Sequence, residues 1–191
     1  SQRRDIYVRK SKAEGYRSRA VYKLQEINEK FNILKNGISV ADLGAAPGSW
    51  SQYLVSKFKN IKLISIDLND IEKIEHTNHI VGDFTDEKQQ DKIIDHFGEK
   101  IDLVISDMAA NTTGNKNLDS LVTGELSIEA LNFAVKSIKK DGTFISKVFM
   151  GSTFNEIVAT AKSKFKKVNI YKPPSSRKNS KENFIICQNL R

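Results

Sequence analysis

The sequence predicts an α/β protein built on one doubly wound, mostly parallel sheet of seven strands, with an antiparallel region at one edge. Three observations carry that expectation. Strand-like and helix-like periods alternate along most of the 191 residues, as successive βαβ units require. The strand-like runs are close to continuously apolar, the pattern of strands covered by helices on both faces. Three successive runs are followed by an acid, at Asp67, Asp83 and Asp107, on the edge where open α/β sheets bind ligands.

The elements follow in order. Ala20, Leu24, Ile27 and Phe31 recur at helical spacing and mark an amphipathic helix that carries Lys23 on its flank. Val40 to Leu43 is a first buried strand, and Trp50, Tyr53, Leu54 and Phe58 mark the helix after it. Ile61 to Ile66 is a second strand, ending at Asp67; Ile80 and Val81 form a short third, ending at Gly82 and Asp83. A helix around Asp86 to Phe97 leads to the strand Ile101 to Ile105. A long helix through Ile128, Leu131, Val135 and Ile138 leads to the strand Thr143 to Phe149. After a helix near Phe154 to Phe165, two strands near Val168 to Tyr171 and Asn183 to Cys187 pair as a hairpin-like edge around Pro173 and Pro174.

At this length the chain reads as one domain, 16–191, preceded by a basic and flexible segment, 1–15. No apolar run approaches the roughly 20 residues that span a bilayer, and the basic N-terminus lacks the apolar core of a secretory signal. Together with the lone Cys187, which sits in an apolar strand and suits packing better than nucleophilic chemistry, this points to a reducing, cytoplasmic setting. The net charge of +8 is unevenly spread. Residues 1–40 carry ten Lys/Arg against four Asp/Glu and residues 162–191 nine against one, whereas the middle carries 12 against 18. Clusters such as Arg3, Arg4, Arg9, Lys10, Lys12, Arg17 and Arg19, and Lys162, Lys164, Lys166 and Lys167, suit contact with nucleic-acid phosphates. Solvated helix faces are the plainer alternative.

One residue breaks the strand pattern. Within the apolar run Gly142 to Met150 stands a single charge, Lys147. An ammonium in a strand buried on both faces needs compensation, because desolvation costs several kcal/mol or depresses its pKa. Asp107, at the end of the preceding strand, falls on the same ligand edge. Taken singly, Asp107 could cap a turn and Lys147 could end its strand at the surface.

The loop after the first strand, Asp42-Leu-Gly-Ala-Ala-Pro-Gly-Ser-Trp50, lets the backbone approach a ligand at Gly44 and Gly48. It is not a dinucleotide fingerprint: the glycines are four apart, and Pro47 lacks the N–H that a phosphate cradle uses. A ligand without a pyrophosphate fits better. Asp67 stands where a ribose hydroxyl pair is held, and Asp83 where an adenine amino group could be met. The three histidines, His76, His79 and His96, have no metal-ligand spacing.

Six ordered motifs then carry a resemblance: RSRAVYKL (17–24), DLGAAPGSWSQY (42–53), GDF (82–84), SDMAAN (106–111), SKVFMG (146–151) and KPPSSRKNSKE (172–182). From about residue 15 the chain resembles the FtsJ/RrmJ family of S-adenosylmethionine-dependent RNA ribose 2′-O-methyltransferases, with a Rossmann-like methyltransferase domain. Within that family it is most similar to bacterial members acting on 23S ribosomal RNA. The resemblance implies a catalytic tetrad of Lys23, Asp107, Lys147 and Glu182, and cofactor contacts at Gly48, Trp50, Asp67, Asp83 and Asp107. It implies S-adenosyl-L-methionine as cofactor, S-adenosyl-L-homocysteine as product, and 23S RNA within the 50S subunit as partner of a monomeric enzyme. One departure is visible: Ala110 stands where the family has proline, beside Asn111.

The chemistry agrees with that implication. A ribose 2′-hydroxyl is a poor nucleophile, so methyl transfer needs alignment and a group that accepts or steers its proton. Lys147 fits that part, as base or as orienter; burial and the cation Lys23 favour its neutral form, while Asp107 and Glu182 oppose this. Transfer RNA or a messenger RNA cap is an alternative substrate. A small-molecule methyltransferase would have little use for the basic ends, and a non-catalytic RNA-binding assembly factor would not need the buried lysine.

Overall fold

The computed structural model describes residues 5–109 and 114–191, so Ala110 and Asn111, like Arg3 and Arg4, lie outside the described residues. The elements are α1 (Ile6–Glu14), α2 (Val21–Phe31), β1 (Ser39–Leu43), α3 (Ser49–Lys57), β2 (Lys62–Asp67), β3 (Thr77–Val81), α4 (Glu87–Phe97), β4 (Ile101–Ser106), α5 (Lys116–Ser137), β5 (Ile138–Phe149), α6 (Phe154–Lys164), β6 (Phe165–Tyr171) and β7 (Glu182–Leu190). The seven strands form one sheet in the order β3-β2-β1-β4-β5-β7-β6. The first five run parallel, and β7 is antiparallel to both its neighbours. The expected antiparallel region is present at one edge as the β6–β7 pair, with β7 inserted between β5 and β6. That insertion brings the chain's last strand beside Lys147.

Alternation along each strand divides the core in two. One face buries Val40, Leu63, Leu103, Ile105, Ile145, Phe184 and Ile186 under Leu24 and Ile27 of α2 and Trp50 and Leu54 of α3. The other buries Leu43, Ile66, Val104, Phe144, Val148 and Ile185 under α4, α5 and α6, through residues such as Ile93, Leu131, Phe133 and Ile157. Each fully buried Phe or Ile contributes about 2 kcal/mol by removal from water. Cys187 is buried in the second core and burial pushes its thiol up to about 12, as its apolar setting predicts.

Two boundaries differ from the sequence expectation. Helix α5 ends at Ser137 and Ile138 is already extended, so β5 begins five residues before Thr143 and its pairing with β4 shifts register between Ile101 and Leu103. Helix α1 has no counterpart in the hydrophobic pattern, because its only buried residue is Ser11. It is held by polar and aromatic contacts: Asp5 caps its start and pairs with Arg19, the Tyr22 hydroxyl donates to Glu14 at 2.9 Å, and Tyr7 packs on Tyr22. Among the described residues, no helix is long and apolar enough to cross a membrane.

Candidate active site

The strand order reverses at β1, between β2 and β4, and two neighbouring sites open at the carboxyl ends of these strands. The first is built by strand alternation. Ile105, Ile145 and Ile186 are cross-strand neighbours on the face covered by α2. Two residues further toward the carboxyl ends of β4 and β5 come Asp107 and Lys147, so both charges project on the same face as the isoleucines. On antiparallel β7 the corresponding step runs backward through Phe184 to Glu182, which lies opposite Phe149. Lys23 joins from α2, one turn before Ile27.

The four side chains meet. The Lys147 ammonium lies 3.0 Å from Asp107 Oδ1 and 3.3 Å from Glu182 Oε1. Lys23 Nζ donates to the same Glu182 Oε1 at 2.9 Å. The other Glu182 oxygen accepts from the Ser176 hydroxyl at 2.9 Å. Lys147 is 9% exposed and Glu182 6%. Burial on its own would lower the Lys147 pKa, but the Asp107 and Glu182 carboxylates outweigh it and hold the ammonium above its ordinary value. Of the opposing influences expected on Lys147, the two carboxylates prevail over burial, and one Glu182 oxygen stands between the two cations. Burial likewise opposes ionisation of Glu182, yet Lys147, Lys23 and Ser176 bring it below the usual carboxylate range.

Sequence reasoning did not find the residues that hold this group in place. Lys172 Nζ donates to the carbonyls of Ser180 and Glu182 at 2.9 and 2.8 Å, fastening the 172–182 segment under the tetrad. The Ser127 hydroxyl of α5 donates to the Lys147 carbonyl at 2.7 Å. Lysines and serines in a polar segment carry no signal of such roles.

The second site is a cleft of about 310 Å³ that begins at Asp107 and runs along the ends of β4, β1, β2 and β3. Asp67 and Asp83 line it, with Gly44, Phe84, Met108 and Leu126. Gly44 has φ +70°, and a Cβ there would lie 2.1 Å from Met108 Cγ, so glycine is what lets the loop and Met108 share this wall. Asp67 accepts from the backbone N–H of Ala46 at 2.9 Å and of Asn69 at 2.8 Å. Asp83 accepts from the N–H and hydroxyl of Thr85 at 2.9 and 2.6 Å. Each carboxylate keeps lone pairs for a ligand. Among the described residues, three carboxylates and no lysine or arginine line the cleft, a setting that disfavours phosphates and suits an uncharged nucleoside carrying a cationic group.

Gly48 and Trp50 lie at the back of the 42–50 loop, where Trp50 shares a small hollow with Gly44, Ala46 and Asp107. Gly48, at φ 110°, precedes α3 and packs near Ile74 and Arg17. Trp50 is 3% exposed, donates its indole N–H to the Ala20 carbonyl at 2.7 Å, and lies against Phe184. Both support the loop from behind; neither is among the residues lining the cleft with Asp67 and Asp83.

A groove of about 390 Å³ reaches the tetrad from the other side, between α1, the 16–20 turn and the 177–182 segment. Lys12, Arg17, Arg19, Lys23 and Arg177 line it. Two of these cations also act internally. Arg17 donates to the carbonyls of Pro47 and Glu72 at 3.1 and 2.7 Å, and Arg19 to that of Ser175. The second basic cluster does not share this edge. Lys167 pairs with Gln188, which pairs with Thr143, so Lys162, Lys164, Lys166 and Lys167 sit near the opposite end of the sheet.

The FtsJ-like methyltransferase family model matches residues 16–190. The chain is 59% identical over 190 residues to the ribosomal RNA large subunit methyltransferase E of Pelagibacter ubique, covering 100% of this chain and 94% of that relative. Identity to the protein of the same name in Zymomonas mobilis is 45% over 187 residues, 98% of this chain and 85% of the relative. Among solved structures, a ribosomal RNA methyltransferase from Plasmodium falciparum superposes with TM-score 0.81 at 32% identity, over 92% of this chain and 98% of its own. A Streptococcus mutans methyltransferase in complex with S-adenosylhomocysteine shares the fold alone, at TM-score 0.55 and 12% identity over 100% of both chains. The chain belongs to the FtsJ-like methyltransferase family.

Proposed function

We propose that this protein transfers a methyl group from S-adenosylmethionine to the 2′-hydroxyl of a ribose in RNA, specifically a uridine of 23S RNA in the large ribosomal subunit. The observation that carries this reading is the Lys147–Glu182–Lys23 group with Asp107 at the junction of two sites, an acidic nucleoside-sized cleft and a basic groove. The names of the relatives support the ribosomal substrate, and such a substrate agrees with a cytoplasmic enzyme.

S-adenosylmethionine supplies a methyl carbon activated by its sulfonium. Asp67 and Asp83 would hold its nucleoside hydroxyls and base, and Met108 and Phe84 would cover its apolar faces. Lys147, kept as an ammonium, donates a hydrogen bond to the 2′-oxygen and turns a lone pair toward the methyl, which is alignment and electrostatic stabilisation in a partly dry site. As the oxygen–methyl bond would form and the methyl–sulfur bond break, leaving S-adenosylhomocysteine, the hydroxyl proton would pass to Asp107, the carboxylate that borders the cleft and pairs with Lys147. Lys23 and Glu182 hold Lys147 in register. The basic groove takes backbone phosphates.

The test is transfer from radiolabelled S-adenosylmethionine to large subunits lacking the modification, with transfer RNA in parallel and the modified nucleotide mapped. Label on a ribose of 23S RNA, lost in Lys147→Met while cofactor still binds, is the expected result. Label on transfer RNA alone overturns the substrate, and full turnover in Lys147→Met overturns the tetrad.

A further inference from the structure

A cavity of about 480 Å³ lies on the far side of the tetrad from the α1 groove, between the start of α5, the turn after β5 and the 179–181 segment. None of the roles described above uses it. Its floor is the end of the β5–β7 ladder: Phe149 pairs with Glu182, and Met150 N donates to the Lys181 carbonyl at 3.0 Å. Ser180 lines both this cavity and the α1 groove, so the two open on opposite sides of one short segment, with Glu182 at its end. Phe149 is two residues past Lys147, about 7 Å along the strand.

The lining differs in kind from its neighbours. Among the described residues the cofactor cleft has acids and no cation, and the α1 groove is strongly cationic. This cavity combines an apolar platform, Phe149 with Met150 at 43% exposure, with the side-chain amides of Asn117 and Asn179 and two lysines against one carboxylate, Asp119. A flat apolar ring with a hydrogen-bonding edge and an attached anion matches that set. Single-stranded RNA is held in this way, by stacking of splayed bases, amide contacts to base edges, and lysines on the backbone.

We infer that this cavity is a subsite for a second nucleotide of the substrate RNA, adjacent in the strand to the methylated one. Its base rests on Met150 and Phe149, its edge faces Asn117 and Asn179, and its phosphate meets Lys181 and Lys116. The RNA strand then crosses the tetrad from the α1 groove into this cavity, and the contact fixes which ribose stops at Lys147. The inference rests on the RNA reading proposed above.

The experiment measures binding of a fluorescent single-stranded oligoribonucleotide of mixed sequence to the wild-type protein, to Met150→Asp, and to the double variant Asn117→Ala/Asn179→Ala. Affinity for S-adenosylmethionine is measured on each as the check of folding, and methyl transfer to large subunits is followed alongside. The expected result is RNA affinity weakened about fivefold or more in both variants, cofactor affinity unchanged, and KM for RNA raised more than kcat is lowered. If Met150→Asp loses cofactor binding, the double variant decides. Unchanged RNA affinity in variants that bind cofactor overturns the subsite while wild-type methylation of RNA leaves the proposed function standing. Cavity-dependent RNA binding without methylation of any RNA does the reverse, and a wild-type protein that binds no RNA overturns both.

Discussion

Lys23 and Glu182 meet at 2.9 Å across 159 residues of sequence, and the oxygen that joins them also lies 3.3 Å from Lys147. One carboxylate oxygen thus holds two ammonium groups and, together with Asp107 at 3.0 Å, keeps Lys147 charged in a site whose burial opposes charge. Replacing Glu182 by Gln removes an interaction that raises the Lys147 pKa and leaves the desolvation that lowers it, so the pKa falls. Methyl transfer in Glu182→Gln is expected to drop by roughly two orders of magnitude, with a falling alkaline limb displaced toward neutrality relative to wild type. A pH–rate profile under saturating cofactor measures this. A limb that rises with pH and moves the same way would make Lys147 a base rather than an ammonium orienter.

Arg17 belongs by sequence to a cluster suited to phosphates, yet its guanidinium donates to Pro47 and Glu72 carbonyls and so ties the 42–50 loop to the segment after β2. Hydrogen bonds from a charged donor contribute more than neutral ones. Arg17→Ala is therefore expected to raise the dissociation constant for S-adenosylmethionine about tenfold, by titration calorimetry. The slope of RNA affinity against log salt, which counts neutralised phosphates, is expected to stay as in wild type. A slope reduced by about one with cofactor affinity intact would return Arg17 to the phosphate-binding set.

Gly44 makes a sharper test of the cleft. The Cβ that alanine adds would stand 2.1 Å from Met108 Cγ, at a φ that side chains rarely adopt. Gly44→Ala is expected to push Met108 into the cleft and weaken cofactor binding by at least tenfold, with a smaller loss in Gly44→Ala/Met108→Ala, where the clash is gone and the strain remains. Equal losses in the single and double variants would separate Met108 from the effect.

Much of this site is legible in the sequence because it obeys strand alternation. Once Ile105 and Ile145 are placed in the core, Asp107 and Lys147 must share their face, and Asp67 and Asp83 follow from the strand-end rule. Lys23 and Glu182 do not follow. Each is a residue type that is mostly exposed, their meeting depends on β7 inserting beside β5, and no periodicity encodes strand order; only the family resemblance assigned them. Helix α1 was illegible for a related reason, since aromatic and ionic contacts hold it and not an apolar stripe. Trp50 is named as a cofactor contact by the family resemblance alone; its ring is mostly taken up by the core, with an edge left in a small hollow beside Gly44 and Asp107.

Lys164, Lys166 and Lys167 read as phosphate contacts by composition, but register puts them at the other end of the sheet. Thr143, level with Lys167, is four residues from Lys147, about 13 Å along the strand, more than the Debye length of about 8 Å at physiological salt. Lys166 and Lys167 lie on the edge strand β6, where such charges also discourage pairing with other chains. Reversing all three to Glu keeps the edge charged and is expected to leave KM for a short RNA within about twofold of wild type. A KM raised tenfold or more would show that RNA wraps to this end.

Asp42 offers a pH test independent of RNA. It is buried at the end of β1 with its carboxylate accepting from the Ser51 hydroxyl at 2.7 Å, and burial outweighs that bond to push its pKa up to about 7, with Asp107 and Asp67 adding repulsion. A carboxyl whose folded pKa lies above its unfolded value near 4 makes the native state bind more protons between those limits, so its contribution favours folding at low pH and is lost as pH rises through about 7. About three pKa units correspond to a change on the order of 4 kcal/mol. Asp42→Asn keeps an acceptor for Ser51 and carries no charge to bury. Its stability relative to wild type, from urea midpoints at constant m, is expected to improve from pH 4 to about pH 7 and to level off above that. A difference independent of pH would mean that Asp42 ionises in the folded protein as it does in the unfolded chain.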